Sequence, residues 1–88
     1  MKVLFLNSFK KDLKKIKDYK LRQKIKSQLL ILEEVNSLTE LRNIVKMKGH
    51  ETAYRIRIGD YRLGIFYEDN AITIARIVKR NDIYKLFP

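Results

Sequence analysis

The spacing of the apolar residues changes once along this chain, and that change constrains the fold more than any other feature. Phe9, Leu13 and Ile16 fall at i, i+4 and i+7, and Leu21, Ile25, Leu29 and Leu32 form a second stripe of helical spacing. From Ala53 onward the spacing is two. Tyr54, Ile56 and Ile58 alternate with Ala53, Arg55 and Arg57, and Tyr61, Leu63, Ile65 and Tyr67 alternate with Arg62, Gly64 and Phe66. Gly59-Asp60 and Asp69-Asn70 supply turns between strands. Residues 71–78 (AITIARIV) read as a further strand with two apolar faces, and residues 2–6 (KVLFL) as a first one. Ser8 is placed to cap the first helix, and Asp18 lies at the joint of a helical hairpin. Residues 36–44 (NSLTELRNI) read as irregular or briefly helical. The expected fold is α+β. An N-terminal strand and a helical hairpin pack on one face of a small, mainly antiparallel four-stranded sheet, as a single domain over residues 1–88.

In that arrangement Arg55, Arg57 and Arg62 converge on the sheet face the helices leave uncovered. The formal net charge of +10 over 88 residues is large for one domain and favours a polyanionic or acidic partner. Residues 1–26 hold ten basic and two acidic side chains, and residues 46–88 hold nine and five. The first group is lysine-rich and the second arginine-rich. Lysine supplies a hydrated point charge, whereas the planar guanidinium fork matches phosphate.

With no cysteine, disulfides and thiolate metal sites are excluded, and the lone His50 cannot build a zinc site. No metal or other cofactor is expected. The apolar start is too short for a signal peptide, and no apolar run approaches the roughly 18 residues of a membrane span. A cytoplasmic location without membrane association is the expectation.

Residues 47–49 (MKG), 54–68 (YRIRIGDYRLGIFYE) and 77–88 (IVKRNDIYKLFP), in this order behind a strand and a helical hairpin, resemble the RelE/ParE superfamily of type II toxin–antitoxin toxins. The resemblance implies a toxin held by a cognate antitoxin in a hetero-oligomer. For the RelE branch it implies cleavage of messenger RNA in the ribosomal A site, with ribosome and mRNA as partners. The ParE branch shares the fold but inhibits DNA gyrase by binding. A catalytically inactive relative that only binds its antitoxin is the third possibility.

By position in the family pattern, Arg62 and Arg80 are the phosphate and transition-state clamps. Arg55 and Arg57 hold the RNA backbone with Lys79, and Tyr84 stacks on a base or relays a proton. The demands are chemical: attack of a 2′-hydroxyl on the adjacent phosphodiester needs phosphate binding, stabilisation of added negative charge, and proton transfer. Preset cations on a rigid sheet meet the first two. The third is open, because arginine is a poor general base. Many relatives carry lysine in the basic pair, or histidine just before the C-terminal arginine, where this chain has Arg55, Arg57 and Lys79. His50 and Glu51, in a loop before the strand at Ala53, have suitable proton affinities but no counterpart in the resemblance.

Other features have simpler readings. The helix lysines form a solvated face, Arg76 pairs with Glu68 or Asp69, and Tyr54, Tyr61 and Tyr67 belong to the core. Phe66 shares the parity of Arg62 and either stacks on a base or packs under the C-terminal segment, which Ile83, Leu86 and Phe87 anchor.

Overall fold

The computed structural model describes residues 1–88. Its elements are β1 (Lys2–Phe5), α1 (Asn7–Lys15), α2 (Tyr19–Glu34), β2 (Ile44–Lys46), β3 (Ala53–Ile58), β4 (Tyr61–Glu68), β5 (Ala71–Lys79) and α3 (Ile83–Leu86), with one 3-10 turn at Leu38–Glu40. The sheet order is β1-β5-β4-β3-β2, with β1 parallel to β5 and every other pair antiparallel. None of the helices is long and apolar enough to cross a membrane.

Five strands stand where the sequence pattern gives four. The additional one, β2, pairs Ile44, Val45 and Lys46 with Ile56, Arg55 and Tyr54. Three residues are too few to display a period of two, which is why this segment reads as irregular. The two tight turns differ in their backbone. Gly59 alone has positive φ in its turn (58°), as a type II′ hairpin with glycine first requires. Asp69 and Asn70 both take positive φ (53° and 60°), the type I′ pattern.

Helical spacing and strand alternation meet in one main core. Phe9, Ile16, Ile25 and Leu32 from the helices pack on Ile56, Ile58, Leu63, Ile65, Ile72, Ile74 and Ile77 from the sheet. The hairpin is closed by named bonds: Asp18 accepts from the Leu21 amide, and Arg22 Nη1 donates to the Leu13 and Ile16 carbonyls left open at the end of α1. The first helix differs from expectation at its start. It begins at Asn7 with Leu6 at the capping position, and Ser8 instead donates its hydroxyl to the Ala75 carbonyl. Asp12, one of two buried polar side chains, accepts from Arg76 Nε (2.7 Å), Arg76 Nη2 and the Ile77 amide. Thus α1 satisfies the edge of β5 beyond the point where β1 ends, and Arg76 pairs with Asp12, not with Glu68 or Asp69.

The face away from the helices is only partly open. A second core of Met47, Ala53, Ala75, Val78, Ile83 and Phe87 lies there, with Phe66 against it. A bulge in β5 supports it: Gly64 pairs with Arg76 and Ile65 with Ile74, so Ala75 is the extra residue and turns into this core. Ile83 and Phe87 anchor the C-terminal segment, but Leu86 is 46% exposed and does not.

Candidate functional site

The remainder of that face carries the arginines. Arg57 and Arg62 stand directly opposite each other across β3 and β4, and Arg55 is opposite Gly64. Like charges in facing positions weaken a hairpin, with Cβ atoms about 5 Å apart. Arg62 is fixed at its root: Nη1 donates to the carbonyls of Gly59 and Tyr61, both at 2.9 Å. Its pKa is lowered from the ordinary arginine value, first by burial, then by the charges of Arg57, Arg55 and Arg80, with Tyr84 acting in the opposite direction. Those groups, with Arg62 itself, are the residues nominated from the sequence apart from Lys79.

Two pieces of chain bring the distal members in. After β5 the Arg80 amide donates to the Asp60 carbonyl (2.9 Å), tying this arginine to the β3–β4 turn beside Arg62. The chain then turns through α3, and Tyr84 stands 63% exposed with Arg55 Cζ 5.2 Å from its ring centroid. That distance is within cation–π range. The sole ion pair of the protein is Asp12–Arg76, so Arg55, Arg57, Arg62 and Arg80 have no carboxylate partner. Four unpaired guanidinium groups beside one exposed phenol are an arrangement able to take up an anion against an aromatic wall.

The structure does not bring Lys79 to this cluster. It is exposed and pairs across the sheet with Tyr61, whose ring packs on the main core, so it has the opposite parity to Arg62. Alternation at the end of β5 sends neighbouring residues to opposite sides. His50 and Glu51 lie in the loop between β2 and β3. From Thr52 to Arg57 the strand runs about 16 Å, which puts them at the far end of the hairpin from the Arg57–Arg62 pair.

One contributor escaped the sequence reading. Gly64 is buried beneath the ring of Phe87, and a Cβ at this position would lie 2.8 Å from Phe87 Cγ and Cδ2. Phe87 also packs on Phe66, with ring centroids 5.0 Å apart. The bare glycine is the slot that seats the segment carrying Tyr84. Glycine within a strand was the available signal, since it marks close approach of another group.

The fold and this arginine face define a class. Residues 3–84 match the family described as ParE toxin of the type II toxin–antitoxin system parDE, and the chain belongs to the RelE/ParE superfamily of type II toxins. It is 45% identical over 92 aligned positions to toxin RelE3 of Methanocaldococcus jannaschii, covering the whole of both chains. Its structure is similar to a chain of the RelB–RelE antitoxin–toxin complex of Methanococcus jannaschii (TM-score 0.81, 38% identity, 97% of this chain and 99% of that one). It is also similar to the YoeB dimer of Staphylococcus aureus (TM-score 0.71, 26% identity, 90% and 94%). The expected toxin fold and membership are therefore correct, with one more strand in the sheet.

Proposed function

We propose that this toxin is a ribosome-dependent mRNA endoribonuclease. The observation that carries the reading is geometric: Arg57 faces Arg62 across the hairpin, Arg80 is tied to the same turn and Arg55 lies against Tyr84, with no carboxylate to neutralise them. Such a cluster costs stability, and it gains a purpose where a phosphodiester acquires extra negative charge. The 2′-hydroxyl oxygen forms a bond to phosphorus as the bond from phosphorus to the 5′-oxygen breaks. The 2′-hydroxyl gives its proton to a solvent water or hydroxide, and the leaving oxygen gains one. Arg62 and Arg80 stabilise the five-coordinate phosphorus, and Arg55 and Arg57 hold the flanking backbone. Arginine stays protonated. Tyr84, exposed and stacked on Arg55, therefore either donates the proton to the leaving oxygen or stacks on a base.

Purified protein should cut ribosome-bound mRNA, read by primer extension. If Tyr84 transfers the proton, Tyr84→Phe and Tyr84→Ala both fail in single turnover; if it only stacks, the phenylalanine variant is near wild type. Wild-type cleavage by Tyr84→Ala removes this residue from the site, and failure of the wild-type protein to cleave any programmed ribosome overturns the reading.

The matched family's ParE description favours a second reading, inhibition of gyrase by binding. The RelE3 relative weighs against it, because that similarity spans the whole of both chains. A supercoiling assay beside the cleavage assay separates the two.

The same reading places the protein in the cytoplasm in a complex with a cognate antitoxin, as in the RelB–RelE structure of the relative. The +10 charge and the exposed Leu30 and Ile31 of α2 suit an acidic, partly disordered chain that folds on binding. Expression alone should arrest growth, and co-expression of the antitoxin should restore it.

A further inference from the structure

Arg57 sits one residue before the end of β3 and two before Gly59, where the facing Arg62 repels it. Something must hold it there. The strand β2 ends its pairing at Ile44↔Ile56, one position short. Asn43 continues the ladder with both its backbone and its side chain. Its carbonyl accepts from the Arg57 amide (3.0 Å), and its Nδ2 donates to the Arg57 carbonyl (2.7 Å). The same Nδ2 donates to Oε1 of Gln28 (3.1 Å), on α2. Gln28 is, with Asp12, one of the two buried polar side chains in the protein. Asp12 has an evident structural task at the edge of β5, whereas Gln28 has this amide as its partner.

We propose that Asn43, oriented by Gln28, is the positioning residue of Arg57, clamping both backbone polar groups of this arginine so that its side chain leaves the sheet from a fixed point opposite Arg62 for the RNA backbone. In a regular antiparallel ladder the neighbour's backbone amide would meet the Arg57 carbonyl, but β2 starts only at Ile44 and the Asn43 backbone supplies one bond, to the Arg57 amide. The side-chain amide takes up the carbonyl, and Gln28 ties the clamp to a helix packed in the main core. With its backbone fixed, the arginine samples fewer positions before it meets phosphate, which lowers the ordering cost of binding. Neither residue touches substrate, so the effect falls on binding through Arg57.

The inference rests on the arginine face being an RNA-binding site, and the test keeps the two apart. The probe is a short 2′-O-methyl RNA oligonucleotide, which cannot be cleaved, followed by fluorescence anisotropy at low salt. Arg57→Ala should weaken binding, and Asn43→Ala should weaken it about threefold or more, within the range of coupling between residues that share a hydrogen-bond network. In the Arg57→Ala background Asn43→Ala should add nothing. A structural role would instead add its full effect in both backgrounds, and that additivity overturns the inference while leaving the RNA site intact. If Arg57→Ala binds RNA as wild type does, the reading of the arginine face and the inference fall together. Gln28→Glu keeps the acceptor for Asn43 and Gln28→Leu removes it. Retained affinity in the first with loss in the second supports the clamp without relying on Asn43→Ala to fold; equal affinity in both overturns it.

Discussion

At the scale of single residues, Arg62 is the side chain on which the proposed chemistry turns. One of its terminal nitrogens is already committed to the Gly59 and Tyr61 carbonyls, which leaves the rest of the fork aimed outward. Lysine cannot hold the turn and reach a phosphate at once. Arg62→Lys should therefore lose about tenfold or more in single-turnover cleavage, with its thermal midpoint little changed. Equal rates would make Arg62 an ordinary solvated arginine. The pH behaviour follows from the sign of its pKa shift. The folded value lies below the unfolded one, so between the two the unfolded chain binds more protons and stability rises with pH only in that alkaline window. Below it the repulsion is present in full and Arg62 stays charged. A pH–rate profile over about pH 6 to about pH 9 should thus contain no limb from Arg62, and Arg62→Lys should leave its shape unchanged.

Among the elements, β4 and α3 depend on one contact. Gly64→Ala puts a methyl group into the ring of a phenylalanine that is 3% exposed, so α3 must shift. Overpacking of this kind costs about 1–3 kcal/mol, and calorimetry should show a drop in melting temperature of roughly 4–8 °C per kcal/mol. Cleavage should fall further than stability, because Tyr84 moves with the segment. Asp12→Ala is the contrasting case. It strips three hydrogen bonds from the β5 edge and leaves Arg76 unpaired, at a cost of about 2–4 kcal/mol in chemical denaturation. Cleavage by the folded fraction should persist, since α1 packs on the other face of the sheet. These two positions also mark what the sequence allowed to be read. The period of two exposed the faces of β3 and β4, and with them Arg55, Arg57 and Arg62, because alternation alone assigns parity. It could not assign Lys79, which sits where the strand ends and the chain departs. Neither β2 nor the Asp12–Arg76 pair was visible: the strand is too short to show a period, and the pair joins residues 64 apart. Arg80 and Tyr84 entered as site residues through family resemblance; Asn81 or Asp82 and the four-residue spacing allow a short helical turn there, as found at α3, but do not say where it folds back on the sheet.

For the whole molecule, two basic surfaces lie on opposite faces of a body measuring 32 × 27 × 23 Å. The Debye length at physiological salt is about 8 Å, so the lysines of α1 and the arginine cluster act almost independently. Replacing the exposed Lys10, Lys11, Lys14 and Lys15 with glutamine should weaken ribosome association and flatten its dependence on salt, measured by co-sedimentation. Cleavage at saturating protein should survive; its loss with the fold intact would put the active face on the helices. The seat of Phe87 over Gly64 has a further consequence, in time. A chain is synthesised from its N-terminus, and the closure of this site waits for a residue 23 positions beyond the glycine that receives it. Until residue 87 has been added and has cleared the exit of the synthesising ribosome, Tyr84 has no anchored segment to ride on. On the proposed reading, the arginine face therefore stays without its aromatic wall until Phe87 has joined the chain and found its seat.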